Sequence, residues 1–111
     1  MKAFLFLFSC VSILGAQGVD ELIAEGDALD RKNKNFEAVA FYLKADSQKP
    51  GEARILWRIS KQYAQLMMDA KSASGRMRLG QKALDAAQGA VSADPEDNNK
   101  ARAREMLKQL P

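Results

Sequence analysis

The stretch LIAEGDALDRKNKNFEAVAFYLKADSQKP, residues 22–50, decides the fold of this chain. It carries two helical patterns of apolar residues, separated by a polar, asparagine-containing run. Small residues stand at Gly26, Ala38 and Ala45, where paired helices can approach closely, and larger residues stand between them. Pro50 follows the second pattern, at a position where proline cannot continue a helix. The stretch therefore predicts two helices packed as a pair.

The rest of the chain after the first eighteen residues is also typical of helices. β-branched residues are scarce there, whereas Ala, Leu, Lys, Arg, Glu and Gln are abundant. No segment shows the alternation expected of a strand, and Asp97 or Asn98 can cap a last helix. Turn-forming runs divide the chain into five predicted helices, at about 19–31, 35–48, 52–71, 76–93 and 98–110.

A second helix pair repeats the first after 34 residues, with Ser60 in the place of Gly26. The distance from Gly26 to Ala38 is 12 residues, but that from Ser60 to Ala83 is 23, so 11 extra residues lengthen both helices of the second pair. The matching positions are Leu56, Ile59, Ser60 and Tyr63 in the first helix of this pair, and Ala83, Ala87, Ala90 and Pro95 in the second.

This pattern resembles the tetratricopeptide-repeat (TPR) superfamily, although Glu25 stands where a leucine is usual. The segments LWRISKQYAQLM (56–67) and GRMRLGQKALDAAQGAVSADP (75–95) resemble the regulator-of-microtubule-dynamics branch and its bacterial relatives. Members of that branch are generally longer, so the resemblance is to a short or truncated member. It implies an all-α, TPR-like α-solenoid that binds proteins and has no chemistry of its own. The implied units are repeat 1 (about 19–52), repeat 2 with its 11-residue insertion (about 53–97) and a C-terminal capping helix (about 98–110).

The first eighteen residues, MKAFLFLFSCVSILGAQG, have the layout of a secretory signal peptide. Lys2 precedes an apolar run that is shorter than the roughly 20 residues of a spanning helix. Small residues follow, and cleavage is expected after Ala16 or Gly18. We therefore expect an exported protein, periplasmic or secreted, with 19–111 as its domain. Two alternatives stay open, and in both the protein is membrane-associated: the N-terminal segment stays uncleaved as an anchor, or Cys10 is lipidated. Membrane contact is expected only if N-terminal residues are retained in this way.

The composition argues against catalysis. The chain has no histidine, and Cys10 would leave with the signal peptide, so the usual general base and thiol nucleophile are absent. We expect no catalytic residues, no metal, no cofactor and no small-molecule substrate. The net charge of +3 is mild, and no aromatic residues interleave with the basic ones, so nucleic acid is not an expected partner either.

Trp57, the only tryptophan, lies outside the core stripe that contains Ile55 and Ile59 in a helical projection. It shares a second stripe with Lys61 and Met68. The resemblance implies that this side of the first helix of each pair lines a groove that binds a protein or peptide. The candidate groove residues are Arg54, Trp57, Lys61, Met68, Asp27 and Asp30.

Structural roles compete with binding at these positions. We favour Trp57 as the cover of one end of a short solenoid, packed against a neighbouring first helix or the final helix. We likewise favour pairing of the acidic side of the first helix with Arg54 and Lys61, and we expect Met67, Met68 and Met77 to fill core gaps. The predicted function is an exported binding module or scaffold. The alternative is a structural subunit that completes its core by self-association, as a homo-oligomer, or by docking on a longer solenoid.

Overall fold

Five helices make up nearly all of the chain that the computed structural model describes, which is residues 17–93 and 98–110. No strand occurs within these two ranges, which confirms the all-α prediction. The predicted signal peptide, apart from its last two residues, lies outside these ranges, and so do residues 94–97, which include Pro95 and Asp97. The helices are α1 (Val19–Arg31), α2 (Asn35–Gln48), α3 (Ala53–Asp69), α4 (Ala73–Ala93) and α5 (Asn98–Gln109).

Each helix packs against the next one in sequence, and α3 also contacts α5. The connections from α1 to α4 are only three or four residues long, so consecutive helices form helical hairpins. Helix α3 therefore holds a central place, with α2, α4 and α5 around it. Over the part of the chain that is described, no helix is long and apolar enough to cross a membrane.

The turn after α1 explains why that helix ends where the sequence predicts. The Asn33 N–H donates to the Asp30 carbonyl at 2.9 Å, and the Lys34 N–H donates to the Leu29 carbonyl at 3.0 Å. Asn33 has a φ of 61°, in the left-handed region that asparagine tolerates better than most residues. This is a Schellman motif with asparagine in the position usually taken by glycine.

The boundary between α3 and α4 differs from the prediction. Helix α3 ends at Asp69 rather than near 71, and α4 begins at Ala73 rather than near 76. The cause is Ser72, whose side-chain oxygen accepts a hydrogen bond from the Gly75 N–H at 3.0 Å. This contact caps the helix. Gly75 therefore lies inside the first turn, where the sequence had suggested a break.

The main core lies between α1, α2 and α3. Its buried members include Leu22, Ile23, Tyr42, Ile55 and Ile59. The predicted close approach of α1 and α2 is present at Gly26, since a Cβ built there would lie 2.8 Å from Cδ1 of the Tyr42 ring. The alanines predicted at helix crossings are all fully buried: Ala38, Ala45, Ala83, Ala87 and Ala90.

The α3–α4 hairpin packs through smaller side chains. The buried Ser60 hydroxyl donates to the Ala83 carbonyl at 2.8 Å and so joins the two helices at their crossing. One prediction for this hairpin is wrong: Met68 and Met77 are 71% and 75% exposed rather than core residues. They lie near the loop end of the α3–α4 hairpin, on sides of α3 and α4 that face solvent. Met67 alone fills a gap, with its sulfur against Gly80.

Candidate partner-binding surfaces

The predicted groove residues on α1 and α3 are tied together by ion pairs. Arg54 Nη1 lies 2.8 Å from Asp20 Oδ1, and Lys61 Nζ lies 2.9 Å from Asp30 Oδ2. The pairing that we favoured from the sequence is therefore confirmed. Pairs of this kind at a half-exposed surface contribute roughly 0–1 kcal/mol each to stability. Their main consequence is that four charged groups already have partners within the chain.

Asp27 is the centre of the most extensive of these contacts. Its carboxylate accepts hydrogen bonds from Arg58 Nε at 2.9 Å and Arg58 Nη2 at 3.3 Å, a two-point contact that fixes the guanidinium. It also accepts a hydrogen bond from the Tyr42 hydroxyl. Burial, together with that hydrogen bond, raises the pKa of Tyr42 well above its usual value. Arg58 was missed by the sequence reasoning, although its position four residues after Arg54 was a signal that it shares the same side of α3.

Asp30 shares its surroundings with Gln62, another residue that the sequence reasoning missed. Burial acts to raise the pKa of Asp30, but the nearby amide of Gln62 and the ammonium of Lys61 outweigh it, so that the pKa is lowered. Gln62 is completely buried, in line with Ile55 and Ile59 on α3. Neither of its amide atoms has a described partner at normal hydrogen-bond distance.

Trp57 packs where the last helix closes over α3 and α4. It lies against a cluster formed by Ala53, Ala90 and Ala103, one from each of α3, α4 and α5. The Arg58 guanidinium carbon lies 4.9 Å from the centre of the indole ring. Trp57 is therefore half-buried beneath α5, as expected of an end cover.

The six predicted groove residues thus do not form one open surface. Arg54 and Lys61 face α1 through their ion pairs with Asp20 and Asp30, and Trp57 faces α5. Met68 lies three turns beyond Trp57, about 16 Å further along α3, and is 71% exposed. The structure shows where these six residues lie, and their role in binding a partner stays a prediction.

A different surface, the α2–α4 groove, is open and largely apolar. It has a volume of about 580 Å³ and runs between α2 and the first half of α4, with the last turns of α3 as its floor. Phe36, Val39 and Leu43 form the α2 wall, and Tyr63 and Leu66 form the floor. Phe36 is 75% exposed and Leu43 is 42% exposed, so large apolar side chains face solvent here.

The α4 wall of this groove combines an apolar residue with two cations. Leu79 lies between Arg78 and Lys82 in the sequence, and all three line the groove. Lys82 Nζ lies 5.5 Å from the centre of the Tyr63 ring. This groove could not be predicted from residue spacing, because it depends on the distance between two helices that are not consecutive.

The described residues contain no group of three or more His, Cys, Asp or Glu side chains arranged to hold a metal ion. The comparisons with known proteins add no identification. No family model, curated protein or solved structure matches this chain.

Proposed function

We propose that this chain is a TPR-like helical module that binds a segment of another protein and performs no chemistry. The observation that carries the proposal is the α2–α4 groove, where Phe36 and Leu43 are exposed above a floor of Tyr63 and Leu66. Exposed apolar patches rimmed by polar residues commonly mark sites that bind another protein. An open groove between helices suits a protein segment.

Two features of the packing support the TPR-like interpretation. Fully buried alanines occupy the helix crossings of both pairs, and Gly26 meets the Tyr42 ring at the position that the repeat pattern assigns to a close contact. The corresponding residue of the second pair, Ser60, is also buried, and its hydroxyl donates a hydrogen bond to the Ala83 carbonyl of α4. These contacts support the proposal, because the repeat pattern requires small residues at these positions.

The proposed binding surface is not the one that the resemblance implied. It lies between the second helices of the two pairs, α2 and α4, whereas the predicted groove lay along the first helices, α1 and α3. On the α1–α3 side a partner would have to displace the ion pairs of Arg54 and Lys61. On the α2–α4 side apolar groups are already open to a partner.

A photoreactive amino acid at position 36 tests the proposal in the cells that make the protein. Position 68 is the matched control, because Phe36 and Met68 are 75% and 71% exposed on different surfaces. We expect a crosslinked protein from position 36 and none from position 68. Crosslinks from position 68 alone would place the partner at the loop end of the α3–α4 hairpin instead, and crosslinks from neither position would contradict the proposal.

Self-association is the second candidate, since an uncovered apolar groove is also what a subunit of a larger assembly presents. Light scattering of the purified protein at several concentrations distinguishes a binding module from a self-associating subunit. A stable monomer supports the binding module. A dimer that disappears in Leu43→Ser would favour the structural subunit, because Leu43 is an exposed member of the groove.

We further propose that the protein is exported, on the strength of its N-terminal sequence pattern. The intact mass of the mature protein from the envelope or the medium should correspond to a chain that begins at Gln17 or Val19. A soluble cytosolic protein whose mass still includes Met1 would contradict export.

A further inference from the structure

The α2–α4 groove is about two helical turns long. Phe36, Val39 or Ala40, and Leu43 recur every three or four residues along its α2 wall, so they span seven residues, or roughly 10 Å. The α4 wall, from Gly75 to Lys82, has the same length. A helix laid along this groove would place apolar residues at i, i+3 or i+4, and i+7 against both walls.

The charges around the groove are not balanced within the chain. Arg78 and Lys82 are one helical turn apart, and neither lies within ion-pair distance of a carboxylate among the side chains that the structure describes. Asp69, at the end of α3, is the only acidic member of the described lining. The α4 wall therefore presents two adjacent cations that a bound segment could pair.

From these two observations we propose that the α2–α4 groove binds an amphipathic helix of another protein that carries carboxylates along one edge. This inference rests on the proposed function and specifies its partner. The apolar side of the bound helix covers Phe36, Leu43 and Leu66, while carboxylates three or four residues apart meet Arg78 and Lys82. Such charge complementarity selects the partner and sets the direction in which it lies.

Other occupants fit the groove less well. An extended peptide that binds by adding a strand needs a sheet edge, and no strand exists in the described ranges. A second copy of this chain, joined by a two-fold axis through the groove, would bring Arg78 and Lys82 of both copies to one interface, where like charges repel. A single acyl chain would leave exposed apolar groups such as Phe36 largely uncovered.

The inference is tested with three designed helical peptides of equal length, each carrying leucines at i, i+3, i+4 and i+7 and differing only along one edge, which holds Glu, Lys or Gln. Fluorescence anisotropy of the labelled peptides measures binding to the full-length protein. We expect the Glu peptide to bind at least tenfold more tightly than the Lys peptide, and its affinity to fall as salt is raised.

Arg78→Glu should reverse this preference. Arg104→Glu is the matched control, because Arg104 is an exposed arginine on α5, and it should leave the preference unchanged. Circular dichroism confirms that both variants remain helical. Equal binding of the three peptides would overturn the charge assignment, and a reversal caused equally by Arg104→Glu would do the same.

Three further outcomes separate this inference from the proposed function. If none of the peptides binds but position 36 still crosslinks to a protein, the helical, acidic partner is wrong and the binding module stands. If lauric acid binds and no peptide does, the groove holds an acyl chain instead. Failure of both the peptides and the crosslink would overturn the proposed function as well.

Discussion

Gly26 is the residue at which the packing of α1 on α2 has least room. A Cβ added there would lie 2.8–2.9 Å from ring carbons of Tyr42, a rigid side chain that is itself buried. We therefore expect Gly26→Ala to lower the free energy of unfolding by about 1–3 kcal/mol. This loss should appear despite the higher helix propensity of alanine. Urea denaturation measures it.

Gly80→Ala is the matched control for this prediction. The added Cβ would lie 2.9 Å from the sulfur of Met67, which is the far end of a flexible and partly exposed side chain. The sulfur can move away, so the gain in helix propensity of about 1 kcal/mol should be at least partly retained. Equal losses in both variants would contradict the Gly26–Tyr42 contact.

Tyr42 should give the stability of the protein a characteristic dependence on alkaline pH. Its pKa is raised in the folded state by burial and by Asp27, whereas an unfolded tyrosine titrates near about 10. Because the folded pKa is the higher one, this stabilisation is complete below about pH 10 and declines above it, by up to about 1.4 kcal/mol per pH unit.

Tyr42→Phe should therefore have a flatter stability curve between about pH 9 and 11. At neutral pH it should be less stable than the wild type by about 1.5–3 kcal/mol, the usual contribution of a hydrogen bond to a charged group. Titration of lysines affects both proteins alike, so the difference between the two urea-denaturation series isolates Tyr42. If the stability of the two proteins fell in parallel with pH, the Tyr42–Asp27 hydrogen bond would not be the cause of the alkaline pH dependence.

At the scale of single helices, the crossing of α3 and α4 tolerates only small side chains. Ala83 is completely buried, and its carbonyl accepts the Ser60 hydroxyl at 2.8 Å. Ala83→Leu should force the helices apart and cost about 1–3 kcal/mol of stability, as overpacked cores generally do. Ala73→Leu, at an exposed position of the same helix, should leave the melting temperature nearly unchanged. An unchanged melting temperature in Ala83→Leu would contradict the close packing of α4 against α3 at this position.

The helices could be predicted largely from the sequence because their signals are local. The bounds of α1 and α2 match the prediction, since small residues, punctuation and apolar spacing all lie within a few residues of each other. The start of α4 was missed because Gly75 reads as a break, while the cap supplied by Ser72 overrides it. The burial of Gln62 was missed for a different reason: it depends on which helices surround α3.

At the scale of the whole molecule, the candidate surface could not be predicted. The charges of α1 and α3 were identified because the repeat pattern places them on facing helices, and they pair as expected. The α2–α4 groove instead exists because α3 separates α2 from α4. The spacing of residues in the sequence does not indicate how far apart these two helices lie. Met68 and Met77 were assigned to the core for a similar reason, since which sides of α3 and α4 are covered depends on the other helices.

The last helix should act as a cover for the indole of Trp57. Ala103 of α5 is completely buried in the cluster with Ala53 and Ala90 against which Trp57 packs. Ala103→Glu places an unpaired charge in this cluster and should detach α5, because burying such a charge costs far more than the few contacts of a short helix supply. We expect the emission of Trp57, the only tryptophan, to shift to longer wavelength.

The change at Ala103 should be distinguishable from general unfolding. Circular dichroism should retain the signal of α1–α4, because their main core does not include α5. Arg104→Glu changes an exposed neighbour on the same helix and should leave the emission unchanged. Emission that is already solvent-like in the unaltered protein would contradict the packing of Trp57 under α5. Trp57 would then be a candidate for an open binding surface.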